Sequence, residues 1–501
     1  MKWVNYILTF FLLITFTQSC TDLEEEVFDR FTEDNFFKNQ DQIVAAFGSA
    51  YTSLYGYTGD LMAIQEVSSD EIVVPTRGND WNDGGIWRQL HQHTYGPATD
   101  QVGGAWNFLY GGVNTCNRLI FQFEKLDFEG REAVISELKA LRAVFYLWIL
   151  DAFGNVPVVD KFDTPADFKP NTTSRAQVFS FVESELKTAI SNLSKDVATT
   201  YGRVNYYAAQ AALAKLYINA QTYTGTTKWN EALAACNEII NSGKYSFNGS
   251  YADIFSPTNG GNPEMILAIP YDRVFAKGFV LIQQTLHYAS QATYQSTEQP
   301  WNGWCTLEEF YNSYEDNDLR KKANFLAGPQ FSSAGVRLVD PGAEATDPDG
   351  PPLTFTAAIN ELSPNALRQA GARIGKYAFE RGSTRDLNND FPIFRYTDIL
   401  LLKAECHLRL GSNLNEGLNL VNQVRARAGI NPFAELTLEN LLAERGREMF
   451  FENHRRSDLI RFGQYNKAWW EKPVSDQNKN IFPIPRGPIS ANPNLKQNPG
   501  Y

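Results

Sequence analysis

Apolar residues return at helical spacing over most of this chain, and residues 395–429 carry the clearest pattern. Ile399, Leu400, Leu401, Leu402, Ala404, Leu408 and Leu410 cover nearly all sides of one helix, as in a buried helix. Gly411 ends it. Asn413 is the expected N-cap of a second helix, whose single apolar face is Leu414, Leu418, Val421, Val424 or Arg425, and Ala428; Gly429 and Pro432 stop it. Similar periods predict helices over 31–55, 100–126, 132–153, from the N-cap Ser174 to Leu193, over 205–223 and over 229–240, with a long charged helix at 437–463. A weak repeat links two of these places: LAKLYINAQ followed by Asn230–Leu233 (NEAL), and LKAECHLRLG followed by Asn415–Leu418 (NEGL). Small residues at helix crossings and an N-E-[AG]-L start resemble tetratricopeptide-type helix pairs. Their irregular spacing predicts degenerate units packed into one body, not a regular solenoid. Ala404 and Ala428 are expected where those helices approach closely.

Between the helices lie two irregular stretches, 61–97 and about 243–391, rich in Gly, Asn, Asp and Trp. Long loops in compact proteins are usually functional or disordered. Lys+Arg 45 against Asp+Glu 57 gives a net charge of −12, which argues against nucleic acid as a partner because nothing would neutralise phosphates. Five Cys without C-x-x-C spacing exclude a zinc ribbon or a thioredoxin-type dithiol. The Asp347, Asp349, Gly350 cluster has Ala358 where a calcium loop needs Glu, so no calcium site is expected. His91 and His93 lack a third ligand at recognisable spacing and are read as surface or loop histidines. No cofactor motif occurs. Glu444, Arg447, Glu448, Glu452, Arg455 and Arg456 recur three or four apart, which predicts ladders of intrahelical ion pairs on an exposed helix. Those carboxylates are no evidence for a glycosidase, and no nucleophile, metalloprotease or phosphate-loop motif appears, so no enzyme activity is expected.

At the N-terminus, Lys2, the apolar run from Tyr6 to Phe16 and Thr17-Gln18-Ser19-Cys20 have the anatomy of a secretory signal. The run is too short to span a bilayer. A small residue before Cys20 resembles a bacterial lipobox, although Thr17 stands where Leu is usual. The expected layout is a signal over 1–19, a lipidated acidic tether over 20–30, and a body over 31–501 with halves at about 31–243 and 263–501. Acyl chains on Cys20 would hold the body at a membrane surface.

Several separated motifs then resemble the SusD/RagB family of outer-membrane nutrient-binding lipoproteins of Bacteroidetes. They are Phe394-Arg395-Tyr396-Thr397-Asp398 running into Glu405; Val424-Arg425-Ala426-Arg427-Ala428-Gly429; Glu444-Arg445 through Glu448 to Glu452, with Arg455, Asp458 and Arg461; and Pro483-Ile484-Pro485 with Gln497-Asn498-Pro499-Gly500-Tyr501. In the N-terminal half, Leu141 to Tyr146 leading into Phe153-Gly154-Asn155-Val156-Pro157 fits as well. Asn453 stands where the family often has Gly, and Arg456-Ser457 where it usually has two aromatics. The resemblance implies a mainly α fold of degenerate tetratricopeptide-like helix pairs with few short strands. It also implies anchoring in the outer leaflet of the outer membrane, a SusC-like TonB-dependent transporter as partner and an oligosaccharide ligand; from the residues themselves no cofactor or metal is expected.

The residues that fit a sugar sit in the irregular stretches. A sugar ring stacks its C–H face on an exposed aromatic, while its hydroxyls need planar donors and acceptors. Arg77, Asp80, Trp81 and Asn82 offer that chemistry, with Trp87, Trp301 and Trp304 beside them; the bland alternative is that these tryptophans anchor loops on the helical body. Asp70 and Tyr294 join them because the family's starch-binding members use an arc of aromatics with acidic neighbours from the same regions. The competing functions are a peptide-binding RagB-like uptake protein, a cell-surface glycoside hydrolase and a helical scaffold that binds only protein.

Overall fold

The computed structural model describes residues 37, 39–247, 249–342 and 352–501. Cys20, the signal and tether ranges, and the Asp347–Gly350 cluster lie outside the described residues. Two compact units divide at Ala46/Phe47. The first contributes, among its described residues, the start of helix α1, Gln40–Thr52.

Phe47–Tyr501 is mainly helical. In order, the helices of seven residues or more that follow are α2 (Asp100–Phe123), α3 (Arg131–Phe153), α4 (Arg175–Ile190), α5 (Tyr206–Ile218), α6 (Trp229–Asn241), α7 (Tyr396–Leu410), α8 (Leu414–Arg427), α9 (Leu438–Met449) and α10 (Arg455–Arg461). From α2 to α8 each packs against the next, so the α5/α6 pair stacks directly on the α7/α8 pair across the intervening 150-odd residues. Ser174 caps α4 in a reciprocal box with Gln177. Gly411 ends α7 in the left-handed conformation at φ 63°. Asn413 does not cap α8 through its side chain; it too is left-handed, at φ 52°, because it completes the tight turn that Gly411 begins. Ala404 and Ala428 are buried as expected, and a Cβ on Gly417 of α8 would stand 3.2 Å from the Ala404 carbonyl oxygen. Leu401, Ala404, Val421, Val424, Leu441 and Met449 join α7, α8 and α9 in one apolar cluster.

Three further expectations are corrected. Helix 205–223 is interrupted at Asn219, whose amide nitrogen turns back to the Lys215 carbonyl at 2.9 Å and whose amide oxygen accepts from Arg461 at 2.9 Å. The 437–463 helix is two, α9 and α10, separated by a turn with Phe451 at φ 56° and Asn453 at φ 62°. A left-handed Asn453 explains why glycine suits that position.

The charged side chains of α9, α10 and the turn between them are also not an exposed ladder. Glu444, Glu448 and Glu452 are fully buried and pair mainly with other elements: Arg320 bridges Glu444 at 2.7 Å and Glu448 at 3.1 Å, and Arg395 reaches Glu448 at 2.9 Å and Glu452 at 2.7 Å. Arg427 also bonds Glu448, while Arg447 with Glu444, at 2.7 Å, is an intrahelical pair of the predicted kind. Arg456 reaches inward to Asp151 at 3.3 Å. Burial alone would raise these carboxyls, but the guanidinium charges win and hold Glu444, Glu448 and Glu452 below the usual carboxylate range.

Of the short strands, β1 (Ile72–Val73), β2 (Met265–Ile269), β3 (Cys305–Thr306) and β4 (Phe391–Arg395) matter here. β2 and β4 pair antiparallel, with Ile269 opposite Phe391, and deliver Arg395 to the ion network. β1 and β3 pair antiparallel, Ile72 opposite Thr306 and Val73 opposite Cys305. That two-residue ladder joins the two irregular stretches and positions the candidate site.

Candidate functional site

The β1–β3 pairing sets the segment after Val73 beside the segment before Cys305, so residues more than 200 positions apart in sequence become neighbours. Arg77 clamps them. Its guanidinium donates to the carbonyls of Asn302 at 3.0 Å, Ala370 at 2.9 Å and Leu367, and it is buried. It therefore braces the loops and does not present free donors outward.

Four tryptophans step from the core to the surface. Trp304, at 0% exposure, packs edge-on against Phe451 (6.0 Å between ring centroids) and Trp87 (5.7 Å). Trp87, also buried, donates its indole N–H to Asp83 at 2.7 Å and meets Trp81 at 5.4 Å. Trp81 is half-buried, and Trp301, 6.4 Å from it, is 38% exposed. Trp81 is fixed by a left-handed backbone (φ 59°) and by its indole N–H, which donates to the Trp301 carbonyl at 2.7 Å. Gly303 makes the fit possible, since a Cβ there would lie 2.2 Å from the Trp81 ring. Trp304 and Trp87 are thus the buried support, and Trp81 and Trp301 the accessible faces.

Beside them opens a cleft of about 920 Å³, lined by Asp80, Tyr288, Gln291, Gln295, Arg337, Asp340 and Arg368 among others. Asp80 is exposed and accepts a short hydrogen bond from the Tyr288 hydroxyl. Burial, then that hydrogen bond and the Asp80 charge, push the Tyr288 hydroxyl up to about 12. Asp340 is buried yet held below the usual carboxylate range, because a hydrogen bond with His287 (3.1 Å) and the Arg368 charge (2.9 Å) outweigh the cost of burial. Asn82 is exposed on the Trp81 loop. Tyr294 is half-buried against Phe379 at 5.4 Å; burial pushes its hydroxyl up to about 12.

Asp70 is not part of this group. It forms a two-pronged pair with Arg455, at 2.6 and 2.7 Å, on a separate cleft of about 310 Å³ with Phe310 and Trp469. His91 and His93 are buried, not surface residues: His91 is 2.8 Å from the Trp470 carbonyl, and His93 is held between Ser475 (2.9 Å) and the Ser68 carbonyl (2.8 Å). Burial lowers His91 to about 4, so it is neutral at physiological pH. Among the described residues no group of three or more His, Cys, Asp or Glu could hold a metal ion.

Sequence reasoning missed Tyr288, Arg337, Asp340 and Arg368. Tyr288 shares an irregular stretch with Tyr294 and Trp301 and could have been counted with them; the other three reach the cleft only through long-range folding, with no local signal.

Two family models match the chain: the SusD family over residues 361–501, and a family described as starch-binding, associating with outer membrane, over residues 25–218. The starch-binding protein SusD of Bacteroides thetaiotaomicron is 26% identical over 411 residues, covering 73% of this chain and 72% of its own. The SusD-like protein P25 of Formosa agariphila is 24% identical with all of both chains covered. Surface glycan-binding protein A from Bacteroides thetaiotaomicron, solved in complex with laminarihexaose, has the same fold: TM-score 0.74 over 92% of this chain and 99% of that one, at 24% identity.

Proposed function

The chain belongs to the SusD family, and from that premise we propose that it is a cell-surface glycan-binding protein, capturing oligosaccharides at the Trp81–Trp301 faces and the adjoining cleft. The observation that carries this reading is the pairing of two accessible indoles, rigidly backed by Trp87 and Trp304, with a cleft of planar polar groups. Flat apolar faces beside fixed donors and acceptors match the two-sided chemistry of a sugar ring. Relatives that bind starch and laminarihexaose support the same ligand class.

Binding proceeds without chemistry on this reading. Asp80 and Asp340 in the cleft accept hydrogen bonds from Tyr288 and His287 and serve as fixed acceptors, not as an acid and base flanking a bond. The bound oligosaccharide passes to a SusC-like TonB-dependent transporter, and acyl chains on Cys20 hold the body on the outer membrane. No helix among the described residues is long and apolar enough to cross a membrane, which fits a lipid tether as the attachment.

Calorimetric titration with glycans, peptides and the transporter tests the proposal. Saturable glycan binding without product supports it; released reducing sugar makes the chain a hydrolase, and binding of peptides alone makes it a peptide-uptake protein. Loss of palmitate incorporation in Cys20→Ala tests the tether.

A further inference from the structure

Three guanidinium groups around the proposed glycan site lie over aromatic rings: Arg368 over Tyr288 at 4.6 Å, Arg337 over Phe331 at 5.3 Å and Arg385 over Trp301 at 5.6 Å from the ring centroids. Separate devices fix them. Arg337 donates to the Gln330 carbonyl at 3.1 Å and to the Thr354 hydroxyl at 2.6 Å. Arg385 reaches Trp301 because two backbone bonds, Gly382 N–H to Tyr294 (2.8 Å) and Thr297 N–H to Ser383 (3.0 Å), lay its segment along residues 294–297. Arg368 rests on Asp340.

Two of the three acids at the same place are already engaged. Asp80 takes the Tyr288 hydroxyl, and Asp340 takes His287, Arg368 and the Gly342 N–H (3.0 Å). Glu298, one residue before the cleft-lining Gln299, is an exposed carboxylate at the same edge. What faces a ligand is therefore weighted toward donors, including two arginines whose protein partners are uncharged, in a chain whose net charge is −12. Stacking on a ring leaves the planar N–H edge of Arg385 to match the paired oxygens of a carboxylate or sulfate, while Arg337, whose two terminal nitrogens each give one N–H to Gln330 and Thr354, offers its remaining N–H groups.

We propose that the ligand is an acidic glycan whose anionic oxygens are received by Arg385 and Arg337 while its sugar faces stack on Trp301 and Trp81. This rests on the glycan-binding reading and adds charge to it. Arg385 and Arg337 set the preference for acidic over neutral sugars; the indoles set affinity for sugar as such.

The purified full-length protein is applied to a glycan array of neutral, uronate-bearing and sulfated oligosaccharides. The tightest ligand is then titrated beside its carboxyl-reduced or desulfated counterpart. The acidic member binds at least about tenfold tighter, the worth of one charge-assisted contact, and its advantage shrinks as salt is raised. Arg385→Gln narrows that ratio about tenfold. Uronates at the head of the array identify a carboxylate ligand, and sulfated chains a sulfate one. Neutral glycans at the head, or a neutral counterpart that binds as well, overturn the inference and leave glycan binding standing. Binding of none of the glycans overturns both.

Discussion

Gly303→Ala separates the geometry of the Trp81 face from its chemistry. The added methyl would sit 2.2, 2.3 and 2.7 Å from three atoms of the Trp81 ring, and Gly303 does not have a left-handed backbone, so the nearest conflict is with that ring. Carbon atoms rest at about 3.5 Å or more, so the indole must retreat by about 1.3 Å. That movement stretches its 2.7 Å hydrogen bond to the Trp301 carbonyl and parts it from Trp301 and Trp87. Overpacking a closed core costs about 1–3 kcal/mol; Trp81 is half-buried and can swing toward solvent, so the lower end, about 1 kcal/mol of stability, applies. Binding suffers more, because a face misplaced by about 1 Å no longer meets a ligand positioned by the cleft, and a loss of tenfold or more follows. Thermal melting and calorimetric titration on the same preparation read the two effects. A variant with unchanged glycan affinity would refute Trp81 as a ligand face, and one that unfolds outright would make the loop a structural anchor.

Trp304→Ala should behave oppositely to Trp301→Ala: the buried ring costs about 3–5 kcal/mol of stability in urea unfolding, while the exposed one costs affinity with little change in melting temperature. Arg320→Ala leaves the buried Glu444, Glu448 and Asp318 short of a partner and should cost about 3–5 kcal/mol. Glu444, Glu448 and Glu452 titrate below their unfolded value, so their contribution is present above about pH 4.5 and is lost as pH falls through the lower folded values, which acid unfolding monitored by circular dichroism will show. Glu66 and Glu71 go the other way. Burial raises both, and the charge and hydrogen bond of Glu66 raise Glu71 further, so their contribution is present below about pH 4.5 and lost as pH rises through the raised values; Glu71→Gln should therefore gain melting temperature relative to the wild type between pH 5 and pH 8.

The helical frame was legible because its evidence is local. The all-round apolar run of α7, the Gly411 stop and the single face of α8 are written in consecutive residues, and so is the Ser174 cap. The ion network was not legible. Glu448 and Arg456 have a spacing that suits an exposed ladder equally well, and their true partners, Arg395, Arg427 and Asp151, come from remote segments. Asn453 hid the helix break, since only a positive φ distinguishes it from a helical asparagine. At the candidate site, residue type picked out two loops that the fold brings together, and not which side chains turn outward. Arg77, Trp304 and Trp87 lie in the same two stretches as Trp81 and Trp301, yet long-range contacts bury the first three: Arg77 on the Asn302 and Ala370 carbonyls, Trp304 on Phe451, and Trp87 on Trp304.

Titration of an array-selected oligosaccharide into wild-type protein and into the Trp81→Ala/Trp301→Ala double variant, both shown by melting temperature to be folded, addresses the site most directly. Removal of two stacking faces, each worth about 0.5–1.5 kcal/mol beyond the area it covers, should weaken binding about tenfold to hundredfold. Unchanged affinity in a folded double variant would contradict the account and move the ligand elsewhere on the chain.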